Sequence, residues 1–292
     1  MTSAPSPLAA PTVAIYLSRL VLDPRSRPVR KALGDNRLYG VLLNAFESSA
    51  IEHHSGSAPR PRGLLWRVEP PEPHTPPRVL VQSIGEPDWD RLPPGVIHAS
   101  STPETKPFAP VLSPGDRLRF RLRANPTVAA PGEQIAPGKH ARGDHRVAYW
   151  KVIRDFEEPL REALSLGDTA RFAELTRQKN ARIEQALADW LAKRLEGAAS
   201  LSAATADTWF DFGDNQPPRR PMQLRVIPEP AFRVDPSAKH HPDRKRGEGD
   251  LSPFLFEGVL TVENPEALLS LVRSGIGRAK AFGCGLLSLA RA

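Results

Sequence analysis

The clearest alternation in the chain is Arg117–Arg123, where Leu118, Phe120 and Leu122 interleave with Arg117, Arg119, Arg121 and Arg123. Neighbouring side chains on a strand point to opposite faces, so this stretch predicts a β-strand with one apolar face. Its other face is a row of four guanidinium groups spaced by ~7 Å. Like charges that close repel, which leaves two readings open: a surface for nucleic acid, or a face solvated or paired internally with carboxylates. Val13–Leu22 is almost continuously apolar and predicts a mid-sheet strand buried on both faces. Asp23-Pro24 then supplies a cap and a first-turn proline, followed by a turn with Arg25, Arg27, Arg30 and Lys31. Asp35 opens a second helical segment in which Leu38, Leu42 and Ala45 share a face, with Tyr39, Leu43 and Phe46 beside it.

Gly63–Glu69 and Arg78–Ile84 predict two neighbouring strands, and Gly85–Pro114 predicts an irregular stretch. Asn125–Gly138 has the Pro/Gly content of a linker, and Val147–Ile153 predicts a short strand. Asp155–Leu195 is a charged helical region that breaks near Leu166-Gly167-Asp168. Its second helix carries an apolar stripe of Ile183, Leu187, Trp190, Leu191 and Leu195, and ends on Lys193-Arg194, where cations complement the helix dipole. Met222–Ile227, Ala231–Val234 and Phe254–Val262 are strand candidates, and Asn264-Pro265-Glu266 starts a helix that runs to Arg273. Then comes Gly275-Ile276-Gly277-Arg278-Ala279-Lys280-Ala281-Phe282-Gly283-Cys284-Gly285, leading into a last strand. Its glycines permit positive φ, and its two cations and free amides suit an anionic, phosphate-bearing partner. The spacing is not that of a dinucleotide fingerprint or a nucleotide P-loop.

Composition sharpens this picture. Forty Lys and Arg against 33 Asp and Glu give a net charge of +7, which favours a polyanionic partner. The single cysteine, Cys284, excludes an internal disulfide framework and fits a reducing compartment. No apolar run reaches the roughly 18 residues of a membrane span, and the first residues lack a secretory signal, so a cytoplasmic protein with no membrane association is expected. Cys284 and scattered histidines make no metal site, and no cofactor is expected.

The order of elements, strand-helix-strand-strand-strand in the N-terminal half and strand-helix-strand at the C-terminal end, is consistent with α+β ferredoxin-like units. The expected boundaries are a disordered tail at 1–12, an N-terminal domain at 13–125 and a linker at 126–146. A C-terminal domain follows at 147–292, with the insertion at about 155–178.

Ile15-Tyr16-Leu17-Ser18-Arg19-Leu20-Val21-Leu22-Asp23-Pro24-Arg25-Ser26-Arg27 resembles the opening of the CasE-type CRISPR repeat-processing endoribonucleases of the RAMP superfamily. Gly63-Leu64-Leu65-Trp66-Arg67, Glu86-Pro87-Asp88-Trp89, Arg117–Pro126 and Phe256-Glu257-Gly258 are similar to further blocks of that family, and the glycine loop to its C-terminal signature. The stretches at about 155–178 and 239–249 look like insertions. The resemblance implies two tandem ferredoxin-like domains of the RAMP/RRM-like kind, with a helical insertion and a C-terminal glycine-rich loop. It implies binding of the stem-loop of CRISPR repeat RNA and metal-independent cleavage at its 3′ base by the neighbouring 2′-hydroxyl. It also implies retention of the mature crRNA 3′ hairpin, with the other subunits of a crRNA-guided effector complex as partners. The basic residues expected to contact that RNA are Arg25, Lys31, the row Arg117, Arg119, Arg121 and Arg123, and Lys193 with Arg194. Arg244, Lys245 and Arg246 of the basic loop join them, as do Arg278 and Lys280 with Gly275, Gly277 and Gly283.

The family places a general acid/base histidine on its first helix, in a run similar to Asn36-Arg37-Leu38-Tyr39-Gly40-Val41-Leu42-Leu43-Asn44-Ala45-Phe46. Here that position holds Tyr39, or Gly40 with a one-residue shift, so the histidine is missing. The catalytic candidates become Tyr39 with Arg27, Arg30 and Arg37, because arginine stabilises a phosphorane without abstracting a proton. A histidine from elsewhere, His240 or His241, is a second possibility. The third is a non-catalytic subunit that binds and caps the hairpin.

Overall fold

The computed structural model describes residues 15–34, 38–46, 51–52, 60–61, 63–70, 72–129, 134–136, 139–140, 145–202, 224–233 and 250–292. The chain divides into two compact units, 1–111 and 112–292.

In the first unit, β1 (Ile15–Val21) leads to α1 (Arg27–Gly34) and α2 (Leu38–Leu42), then β2 (Leu65–Val68), β3 (Arg78–Ser83) and β4 (Glu104–Phe108). The sheet order is β2-β3-β1-β4, antiparallel throughout. The first strand therefore lies between the third and fourth, which is the ferredoxin-like arrangement. Leu20, Leu22, Val79, Val81 and Trp66 bury one sheet face against Val29 and Ala32 of α1 and Leu38 and Leu42 of α2. The other face of β1 departs from expectation. Arg19 is exposed there and pairs with Glu104 at 2.7 Å, so β1 is central but is not buried on both sides. The fourth strand also departs: it is Glu104-Thr105-Lys106-Pro107-Phe108, inside the stretch expected to be irregular. A largely exposed edge strand needs no apolar alternation and tolerates proline, so composition conceals it.

In the second unit, β5 (Arg117–Ala124) is followed by β6 (Thr127–Ala129), β7 (His145–Val147), α3 (Trp150–Ser165) and α4 (Thr169–Leu195). Then come β8 (Ala199–Leu201), β9 (Leu224–Pro228), β10 (Phe254–Val262), α5 (Pro265–Ser274) and β11 (Leu287–Arg291). The sheet runs β8-β10-β5-β11, with β9 also on β10. Its first strand again lies between the strand before the last helix and the final one, so this unit repeats the ferredoxin-like order. The chain is α+β with two such units in tandem.

This pairing moves the expected domain boundary. The arginine strand is the central strand of the second sheet, bonded to β10 and β11 from the far end of the chain, and not the last strand of the first. The expected linker is likewise not free chain throughout, because Thr127–Ala129 pairs with His145–Val147. Helix α3 begins at Trp150, so the strand expected over 147–153 stops at Val147. Val152 and Phe156, four apart, are buried in its first half, and Ala163 near its end. Asp168 caps α4, its carboxylate accepting the Arg171 amide at 2.9 Å. Only the C-terminal part of α4 buries a dense stripe (Leu187, Ala188, Trp190, Leu191, Leu195), so that part serves as the crossover helix of the unit. Asn264 caps α5 as expected, accepting the Ala267 amide at 3.1 Å. No helix among the described residues is long and apolar enough to cross a membrane.

Candidate nucleic-acid interface

The apolar face of β5 is buried as the alternation requires, with Leu122 fully enclosed and Phe120 nearly so. The arginine face is divided. Arg123 donates from Nε to Glu229 Oε2 and from Nη1 to the Phe282 carbonyl, each at 2.6 Å, and its side chain is only 13% exposed. Arg121 donates to Glu257 Oε1 at 2.6 Å, its direct cross-strand neighbour on β10. Arg119 donates to the Arg291 carbonyl at 3.0 Å and stays exposed, as does Arg117. The row is therefore not four open cations. Its C-terminal half is neutralised by two glutamates, and Arg123 anchors the glycine loop from beneath.

That loop is itself built differently from its sequence expectation, since many of its amides are occupied. Ile276 N–H donates to Gly285 O, Gly285 N–H to Arg123 O, Gly283 N–H to Lys280 O and Gly275 N–H to Leu271 O. Two glycines are demanded by close approach. A Cβ on Gly277 (φ +82°) would lie 3.3 Å from the Trp190 ring, and one on Gly285 (φ +94°) 3.2 Å from the Ile276 carbonyl oxygen. Gly275 and Gly283 are buried, Lys280 is half-buried, and Arg278 alone of the two loop cations is exposed. Cys284 lies under the loop, fully buried, with Arg123 Nη1 at 3.7 Å from its sulfur. Burial pushes its thiol up to about 11, against a smaller opposing pull from Arg123.

The cations of α1 have the reverse character. Val29 and Ala32 face the core, which turns Arg27, Arg30 and Lys31 to solvent. None has a carboxylate partner among the described residues. Asp23, just before them, accepts the Arg25 amide at 2.9 Å, and that bond holds its carboxyl below the ordinary value. Tyr39, at the position where a histidine is expected, is half-buried against the apolar cluster of the first unit. Lys193 and Arg194 close α4; Arg194 sits over the Trp190 ring at 5.3 Å. Arg37, Arg244, Lys245, Arg246, His240 and His241 lie outside the described residues. Sequence reading missed Glu229 and Glu257, the partners that decide what the arginine row is. The one signal for Glu257 is alternation within Phe254–Val262, which places it opposite the apolar Phe256.

A family model described as "CRISPR associated protein" matches residues 15–291. A Thermus thermophilus protein named CRISPR-associated endoribonuclease Cse3 is 32% identical over 286 residues, covering 94% of this chain and all of its own. The Escherichia coli protein named CRISPR system Cascade subunit CasE is 57% identical over 42 residues, 14% of this chain and 21% of its own. Among solved structures, Thermus thermophilus Cse3 bound to an RNA representing a pre-cleavage complex is similar, with a TM-score of 0.57 and 29% identity. That match covers 95% of this chain and 99% of the other.

Proposed function

This chain belongs to the CRISPR-associated protein family of Cse3 and CasE, and we propose that it matures CRISPR RNA. It binds the stem-loop of repeat RNA, cuts at the 3′ base of the stem, and stays on the product as a subunit of a cytoplasmic crRNA-guided effector complex. The observation that carries this reading is the end-to-end match to a family member named as an endoribonuclease.

The chemistry follows from the RNA. The 2′-oxygen beside the scissile bond attacks the adjacent phosphorus, the O5′ bond breaks, and a 2′,3′-cyclic phosphate and a 5′-hydroxyl result. A proton must leave the nucleophile and one must reach the leaving oxygen. Tyrosine, with a reference pKa near ~10, is a poor base at neutral pH. The exposed guanidinium groups of Arg27 and Arg30, with Arg37 beyond α1, suit charge stabilisation of the pentavalent state. Tyr39 then serves by hydrogen bonding and positioning. Holding the 2′-oxygen in line accounts for much of the acceleration such a site needs. One turnover suffices where product is retained.

A second reading, a hairpin-capping subunit that does not cut, is favoured by one feature: Tyr39 is packed against the core as an ordinary aromatic. Incubation with the cognate repeat RNA in excess chelator separates the two. Cutting at one site with a cyclic phosphate end is the expected result. Intact RNA bound tightly would transfer the assignment to the capping subunit. In the enzyme, Arg27→Ala, Arg37→Ala and Tyr39→Phe slow cleavage more than they weaken binding.

A further inference from the structure

Beyond the residues assigned above, the helical hairpin carries a cluster of cations organised by aromatic rings. The guanidinium carbon of Arg146, on β7, lies 4.7 Å from the centroid of Trp150. That of Arg154, one turn along α3, lies 5.1 Å from the same ring, and the Lys151 ammonium 5.8 Å. Arg182 of α4 repeats the arrangement over Phe156 at 5.6 Å. All four cations are exposed. Among the described residues, the only carboxylate in ion-pair range of any of them is Asp155, at 3.9 Å from Arg154.

A guanidinium held over an aromatic ring gives that ring its face and keeps its N–H edge free, with fewer rotamers left to lose on binding. Three cations around one indole repel each other, and a bound polyanion relieves that repulsion. On β5 the same problem is solved with glutamates; here it is left open. We infer that Arg146, Lys151, Arg154 and Arg182 form an RNA phosphate-binding surface on the α3–α4 hairpin, with Trp150 and Phe156 as its supports. The ligand is the phosphodiester backbone, so contact is independent of base sequence. This inference deepens the RNA-binding assignment and rests on it for the identity of the natural ligand.

The test uses the full chain, the repeat hairpin, the same hairpin with an unpaired flank, and an unrelated single-stranded RNA. The triple variant Arg146→Gln/Arg154→Gln/Arg182→Gln is expected to lose about tenfold in affinity near 0.1 M salt. The slope of log affinity against log salt should fall by about 2, since each lost phosphate contact removes roughly 0.7–0.9. Trp150→Leu keeps every charge and should cost about threefold with little change in slope, through loss of pre-organisation. An unchanged melting temperature excludes misfolding as the cause. Loss only with the flanked hairpin identifies the unpaired strand as the ligand, and equal loss with both hairpins identifies the stem. Unchanged affinity and slope with every RNA overturns the inference. If the wild-type protein shows no preference for the hairpin over unrelated RNA, the assigned function fails, while a charge-dependent loss on the single strand still upholds this surface.

Discussion

On β5, Arg121 and Arg123 each meet a glutamate at 2.6 Å, whereas Arg27, Arg30 and Lys31 on α1 have no carboxylate partner among the described residues. The sequence offers both groups as cations for RNA and leaves the first open to internal pairing. The fold separates them. Alternation tells which way a strand side chain points but not what stands opposite. Glu257 arrives from 136 residues away and Glu229 from 106. The lesson is about context: density of cations along a chain matters less than which of them the fold leaves without a counter-charge.

The comparison breaks first at Arg123. Replacing it with Ala strands Glu229 and removes the Phe282 contact, and urea unfolding should show a loss of about 3 kcal/mol. A loss well below 1 kcal/mol would mean that Arg123 is not held by Glu229 and the Phe282 carbonyl. The next effect is on pH dependence. The Cys284 thiol is raised from 9.0 to about 11 by burial, so below pH 9 it is protonated in both folded and unfolded chains. Between pH 9 and 11 the unfolded chain releases the proton first, and stability should fall by about 2 kcal/mol. Denaturation curves across that range should flatten in Cys284→Ala.

Arg27→Gln/Arg30→Gln should do the opposite of Arg123→Ala. Repeat-RNA affinity should fall about tenfold with a shallower salt dependence, while stability changes by less than about 0.5 kcal/mol. Equal effects of both variants on stability would erase the distinction between the two regions. The smallest effect belongs to Arg121→Ala. Its side chain is 39% exposed, and the pair with Glu257 is worth less than about 1 kcal/mol after solvent screening.

Much of the fold was legible where local physics decides it. The alternation of Leu118, Phe120 and Leu122, the Asn264 cap and the break at Gly167 all follow from neighbours in sequence. What failed was long-range. The residues of β5 carry no mark of pairing with Phe254–Val262 and Leu287–Arg291, so the strand was expected in the wrong unit. The Glu104–Phe108 strand was missed because an exposed edge strand has no apolar signature. At the candidate site, the basic character of α1 and the missing histidine are plain in the sequence, since both are matters of residue identity. The closed glycine loop was not, because Gly277 owes its lack of a side chain to Trp190, 87 positions earlier.

Cys284 gives this closed loop a clock. It is the sole cysteine of the chain, and it lies beneath residues that must lift away from Arg123 before any reagent can touch its sulfur. Alkylation at neutral pH is then slowed by the fraction of time the loop spends closed. The rate of mass gain on iodoacetamide, divided by that of the unfolded chain, gives the open fraction in native buffer. A ligand that seats on the loop will slow it. One that binds only the cations of the helical hairpin will leave it running at the same pace.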